Sequence, residues 1–189
     1  MSHHGTGPQS QQSFLPLRRR GIQRLAGATW HSGRSVWSDE TEGRTLAVDR
    51  MEVVERTAPE HVAGLLGVEP TAQVWSRKRR YVLDARPVLL STSYLPADLV
   101  AGSAITREDT GPGGIYARLA ELGCKPVRFR EEIRCRMPSA EESRQLDLSA
   151  GTPVVLIRRT AFAEGGRAVE VSEMTLDSTS YVLEYEFDA

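Results

Sequence analysis

Between Pro59 and Phe187 the hydrophobic period of the chain changes repeatedly, and most changes fall on glycine or proline. This punctuation constrains the fold more than any other feature, because a period of 3.6 and a period of 2 bury different faces. Three stretches read as helices: PEHVAGLLG (59–67), GGIYARLAELG (113–123) and SAEESRQLDL (139–148). Seven read as extended: 45–56, 74–84, 87–95, 125–137, 153–163, 168–177 and 181–187. The connections are short and hairpin-like. The pattern therefore predicts an α+β fold, a mostly antiparallel sheet with flanking helices, not a parallel one.

Local chemistry supports these boundaries. Pro59 suits the first turn of a helix, where its missing N–H costs little, and Gly67 can close that helix. Ser139 and Glu142 form an S-x-x-E capping box after Pro138. In 113–123, Ile115, Leu119 and Leu122 fall on one face, and Gly123 stands where a left-handed C-terminal residue belongs. Asp84-Ala85-Arg86-Pro87 separates two alternating runs and predicts a hairpin. Glu164-Gly165-Gly166-Arg167 predicts a second, since paired glycines supply positive φ. The run Val154, Val155, Leu156, Ile157 is apolar on both faces, so its strand must be covered twice.

Composition narrows the function classes. Formal charge is −1 over 189 residues, so no global field attracts nucleic acid or a membrane. Charge is uneven: no acid precedes Asp39, while Arg18, Arg19, Arg20, Arg24 and Arg34 do, and from Glu170 onward there are six acids and no Lys or Arg. Two cysteines, Cys124 and Cys135, give neither a disulfide framework nor metal spacing; the default is a reduced cytoplasmic setting, and Cys135 is expected in the core. No apolar run approaches a membrane span. His31 and His61 have no triad partners, and no phosphate loop or metal motif occurs, so neither a catalytic set nor a cofactor or metal is expected. Residues 1–23 read as a disordered leader and linker. One domain is expected over 24–189, with its core at 45–187 and an irregular arm carrying Trp30 and Trp37.

The ordered series of an arginine-rich strand, an Asp-x-x-Pro turn, Ser-Tyr-Leu-Pro (93–96), Gly-Ile-Tyr-x-x-Leu (114–119), a helix ending at Gly123, Gly-Thr-Pro-Val (151–154), Arg158-Arg159 and Val169-Glu170 resembles the UTRA domain. UTRA is the effector-sensing half of GntR-type transcription regulators of the HutC subfamily. The resemblance runs from about 45 to 187. It implies a chorismate-lyase-like fold, a small-molecule effector, a homodimer, and control of an N-terminal winged helix-turn-helix. Residues 1–44 are too few and too glycine-rich to hold that DNA-binding half, so DNA is expected as a partner only through a segment this sequence lacks. The alternatives are a small chorismate-lyase-like enzyme and a dimerisation module without ligand.

Candidate site residues follow from both readings. Arg77 and Arg79 share a strand face with Trp75 and Tyr81, and guanidinium suits planar recognition of an anion. Gly114 and Tyr116 sit at a helix start, where free backbone N–H groups favour anions. The resemblance implies that Glu170 accepts hydrogen bonds from effector hydroxyl or amine groups. It places Ser93 at the pocket, and Trp30 and Ser32 in a loop over it. Aligned on the Asp84 turn, Tyr81 stands where relatives carry a second arginine, and Gly114 where many carry a serine. This implies an uncharged or singly anionic effector. Glu131 falls on an apolar strand face, which calls for a buried partner such as Arg79 or Arg158.

Overall fold

Two residues turn the chain between its longest hairpin strands. Asp84 and Ala85 both hold positive φ, 49° and 68°, which matches the right-handed twist of the strands they join. We describe a computed structural model over residues 16–20, 44 and 46–186. In chain order the elements are β1 (Leu17–Arg20), β2 (Leu46–Thr57), α1 (Glu60–Leu66), β3 (Gln73–Leu83), β4 (Arg86–Pro96), α2 (Ala97–Val100), α3 (Gly114–Glu121), β5 (Arg128–Arg136), α4 (Ala140–Gln145), β6 (Val154–Phe162), β7 (Ala168–Asp177) and β8 (Tyr181–Glu184).

Six strands form one antiparallel sheet, ordered β2-β3-β4-β7-β6-β5. The second hairpin, β6–β7, turns on Gly165 and Gly166, at φ 73° and 82°. The α+β, mostly antiparallel expectation holds. On one face, α2, a 3₁₀ turn at Ala104–Thr106 and α3 pack Val100, Ile105, Ile115, Tyr116 and Leu119 against Tyr81, Leu89, Ile157 and Met174. On the other, α1 packs Val62, Ala63 and Leu66 against Val74, Tyr94, Phe162 and Val171. The capping box of α4 forms as the sequence requires: the Glu142 N–H donates to Ser139 Oγ and the Ser139 N–H to Glu142.

Three features depart from expectation. A short strand, β1, lies inside the stretch read as leader, and pairs in parallel with β8. Cys135 is exposed, as is Ile133, because β5 is an edge strand whose outer flank no described element covers. Leu122 is exposed too: α3 ends at Glu121, and Leu122 begins the turn to Gly123.

Candidate functional site

Strand register carries a polar row across the middle of the sheet. On the face that holds α3, Arg77 stands opposite Ser93, Ser93 opposite Ser172, Ser172 opposite Arg159, and Arg159 opposite Glu131. Period-2 alternation puts all five on one side. Arg77, Ser93, Ser172 and Arg159 are each at most 3% exposed. A buried polar group is costly unless it is hydrogen-bonded, so their partners decide what the row does.

One branch is a relay. Arg79 Nη2 donates to Ser93 Oγ at 3.0 Å, Ser93 Oγ lies 2.9 Å from Ser172 Oγ, and Ser172 Oγ donates to Glu170 Oε1 at 3.3 Å. Because Ser93 accepts from a guanidinium and Ser172 donates to a carboxylate, the intervening hydroxyl proton runs from Ser93 to Ser172. A cation and a carboxylate thus share one chain without forming an ion pair. Glu170 is 2% exposed, and its Oε2 has no hydrogen-bond partner; nor have Arg79 Nε and the buried Ser91 Oγ. The Arg79 guanidinium also lies 5.8 Å from the ring centre of Tyr81, whose hydroxyl burial pushes above its ordinary pKa.

Arg77, two residues away, is used differently. Its Nη1 donates to the carbonyls of Ile105 (2.5 Å) and Arg107, and its Nη2 to that of Glu108 (2.8 Å). It therefore pins the 105–108 loop beside the row. Burial, with Arg79 nearby as the next cause, pulls its pKa down to about 10.

At the other end, Glu131 pairs with Arg19 Nη2 at 3.0 Å and faces Arg159 Nη1 at 3.9 Å. Arg19 and Arg159 are thus among its partners, where the sequence suggested Arg79 or Arg158. Arg158 points to the opposite face and bonds Glu173. The Arg159 guanidinium lies 5.5 Å from the Tyr116 ring centre and 5.9 Å from that of Phe129, and the two rings lie 5.3 Å apart.

Of the sequence candidates, Arg79, Ser93 and Glu170 are joined by this relay, Tyr116 borders it through Arg159, and Arg77 braces its loop. Gly114 differs from expectation: its N–H is not a free donor but bonds the Gly111 carbonyl, which tightens the turn entering α3. Trp30 and Ser32 lie outside the described residues. Sequence reasoning missed Arg159 and Ser172 as site members. Both were visible as polar residues on otherwise buried alternations, Val155-Ile157-Arg159-Ala161 and Glu170-Ser172-Met174. Among the described residues no group of three or more His, Cys, Asp or Glu could hold a metal.

The sheet's other face carries a more open groove of about 520 Å³. Arg50, Lys78, Arg80, Thr92, Gln145 and Glu173 line it, and Arg79 and Ser91, next to the row, also reach it. Its charges are largely neutralised in place: Lys78 pairs with Glu52, Arg80 with Asp49, and Glu173 with His61 and Arg158. The unpartnered Glu170 Oε2 and Arg79 Nε, by contrast, lie beside the buried row.

Comparison with known proteins agrees with the fold. The UTRA domain family model matches residues 41–182. An HTH-type transcriptional regulator of Streptomyces coelicolor is 33% identical over 97% of this chain and 70% of its own length. The HTH-type transcriptional repressor PhnF of Mycolicibacterium smegmatis is 29% identical over 73% of this chain and 57% of its own. The crystal structure of the effector domain of PhnF superposes with a TM-score of 0.69 at 24% identity, covering 81% of this chain and 94% of that one. The curated relatives are transcriptional regulators longer than the segment they share with this chain. The chain belongs to the UTRA domain family.

Proposed function

We propose that this chain is the effector-sensing domain of a GntR-type transcription regulator of the HutC subfamily, and that it is not an enzyme. The observation that carries the reading is the relay from Arg79 through Ser93 and Ser172 to Glu170, with one Glu170 oxygen buried and unpartnered. Such an atom is complementary to an N–H or O–H on a ligand, and Arg79 Nε to an acceptor. The effector is a small polar molecule offering both, uncharged or singly anionic, with Tyr116 and Arg159 as neighbouring walls.

Function follows by population shift. The effector binds one arrangement of the domain better, and a cytoplasmic homodimer repositions winged helix-turn-helix heads supplied by the rest of the regulator. The shift cannot exceed the effector's differential affinity for the two arrangements. No helix of the described residues is long and apolar enough to cross a membrane.

The test is amide chemical-shift mapping with a panel of small polar metabolites. A binding compound should perturb Ser93, Glu170 and Ser172. Perturbation confined to Lys78, Thr92 and Glu173 would place binding in the groove on the other face.

A further inference from the structure

The groove on the sheet's other face holds a positive charge that its neighbours leave unmatched. β2 is irregular at Asp49, and the register resumes with Arg50 opposite Arg80 and Glu52 opposite Lys78. Like charges set directly opposite each other on one face are destabilising. Arg80 is relieved: it forks onto Asp49, and its Nη1 donates to the Gln145 carbonyl at 3.1 Å. Arg50 is not. Asp49 and Glu141 both feel its charge, but Arg80 holds Asp49, and Arg144 and Gln145 hold Glu141. Among the described residues Arg50 makes no hydrogen bond or ion pair of its own. Lys78 has one carboxylate, Glu52 at 3.2 Å, and both side chains are about half exposed.

A concavity surrounds these two cations, and at about 520 Å³ it has the size of a small-molecule site. Leu90, opposite Arg80, and Met51 supply apolar surface. Thr92, opposite Lys78, offers a hydroxyl that no described residue takes up. We propose that the groove is a second small-molecule site, and that it takes a monocarboxylate with a short apolar body. Arg50 and Lys78 hold the carboxylate, the guanidinium presenting the planar N–H pair that such a group accepts. Leu90 and Met51 cover the apolar body, and Thr92 meets a polar substituent. One unmatched cation calls for one negative charge, and a dianion would face Glu52 and Glu173 across the groove. Period-2 alternation turns Lys78 and Thr92 away from Arg77 and Ser93, so this site stands whether or not the row binds the effector. The domain then takes two ligands, one on each face of β3 and β4.

Amide chemical-shift titration with acetate, butyrate and benzoate, at constant ionic strength set with chloride, tests the site. Arg50, Lys78 and Thr92 should shift saturably, while Glu170 and residues 105–108 stay in place. Affinity should rise from acetate to benzoate as more of Leu90 and Met51 is covered. Benzamide, the uncharged isostere, should bind at least tenfold more weakly than benzoate. Arg50→Gln should weaken benzoate roughly ten- to a hundredfold, because a charged hydrogen-bond partner is lost, and Lys78→Gln a few-fold. Arg167→Gln removes the same charge at the β6–β7 turn and should bind as wild type does. No saturable shift with any of the three carboxylates overturns the proposal, as does equal binding of benzamide and benzoate. Undiminished benzoate affinity in Arg50→Gln, with α1 amides unmoved, overturns it too. So does an equal loss in Arg167→Gln, which would reduce the effect to general charge attraction, or a response confined to Glu170 and 105–108, which would put the carboxylate on the row. If Arg50→Gln does not fold, Lys78→Gln and benzamide decide, and unchanged affinity in both overturns the proposal.

Discussion

Arg77 and Arg79 lie two residues apart on one strand face, and replacing each by methionine should have unequal consequences. Arg77 makes three bonds to loop carbonyls. Hydrogen bonds to a charged group contribute about 1.5–3 kcal/mol each, so the gross loss in Arg77→Met is roughly 5–9 kcal/mol. Against this stands the burial of its charge. Lowering the pKa from 12.5 to about 10 corresponds to about 3.4 kcal/mol against the charged form. The balance leaves a net destabilisation of roughly 1–6 kcal/mol, toward the lower end because Arg107 and Glu108 are exposed and their carbonyls can rehydrate. Arg79 is only partly buried and makes one bond, to Ser93, so Arg79→Met should cost about 1 kcal/mol. Urea unfolding of both variants, with hydrogen exchange at 105–108, measures the gap. The expected result is Arg77→Met less stable than Arg79→Met by at least ~1 kcal/mol, with the loop deprotected. Equal stabilities with an unchanged loop would refute the assignment of Arg77 as a brace.

Two other outcomes follow from the packing. The Arg136 guanidinium, with the α4 cap behind it, holds the Glu142 carboxyl at about 2, well below its ordinary 4.5. A carboxylate with a depressed folded pKa contributes stability above its unfolded pKa, and that share is lost as pH falls from about 4.5 toward 2. Since Arg136 is partly exposed, we expect ~1–2 kcal/mol, visible as a steeper acid loss in wild type than in Glu142→Gln; parallel pH profiles would contradict it. Ile133 and Ile157 stand opposite each other, but Ile133 is on the edge strand at 40% exposure and Ile157 is buried between β7 and β5. Ile157→Ala should cost about 2–5 kcal/mol and Ile133→Ala under ~1, and similar losses in calorimetry would count against this sheet order.

The sequence made the elements legible wherever the deciding chemistry is local. The Asp84-Ala85 turn, the paired glycines at 165–166 and the Ser139–Glu142 box involve residues a few positions apart, and each formed as read. Long-range placement was not legible. Nothing in Leu-Arg-Arg-Arg specifies a strand, because the partner that makes it one begins at Tyr181. Cys135 alternates like a core residue, and only the order of strands leaves it exposed at an edge. The site divides in the same way. Alternation put Arg77 and Arg79 on one face, as the register shows, but the difference between Arg77 and Arg79 is made by carbonyls about thirty residues downstream. One partner of Glu131 comes from the first strand of the fold, 112 positions earlier.

The most direct test of the central claim is calorimetric affinity of one effector for four forms of the chain. A thermal-shift screen of small polar metabolites supplies the compound. Its affinity is then measured for wild type, Arg79→Met, Glu170→Gln and Arg80→Met, the last altering the groove on the opposite face. Loss of one charged hydrogen-bond partner costs ~1.5–3 kcal/mol, so Arg79→Met and Glu170→Gln should each weaken binding roughly ten- to a hundredfold while Arg80→Met binds as wild type does. Undiminished affinity in the first two, with loss in Arg80→Met, would contradict the account and move the site to the groove.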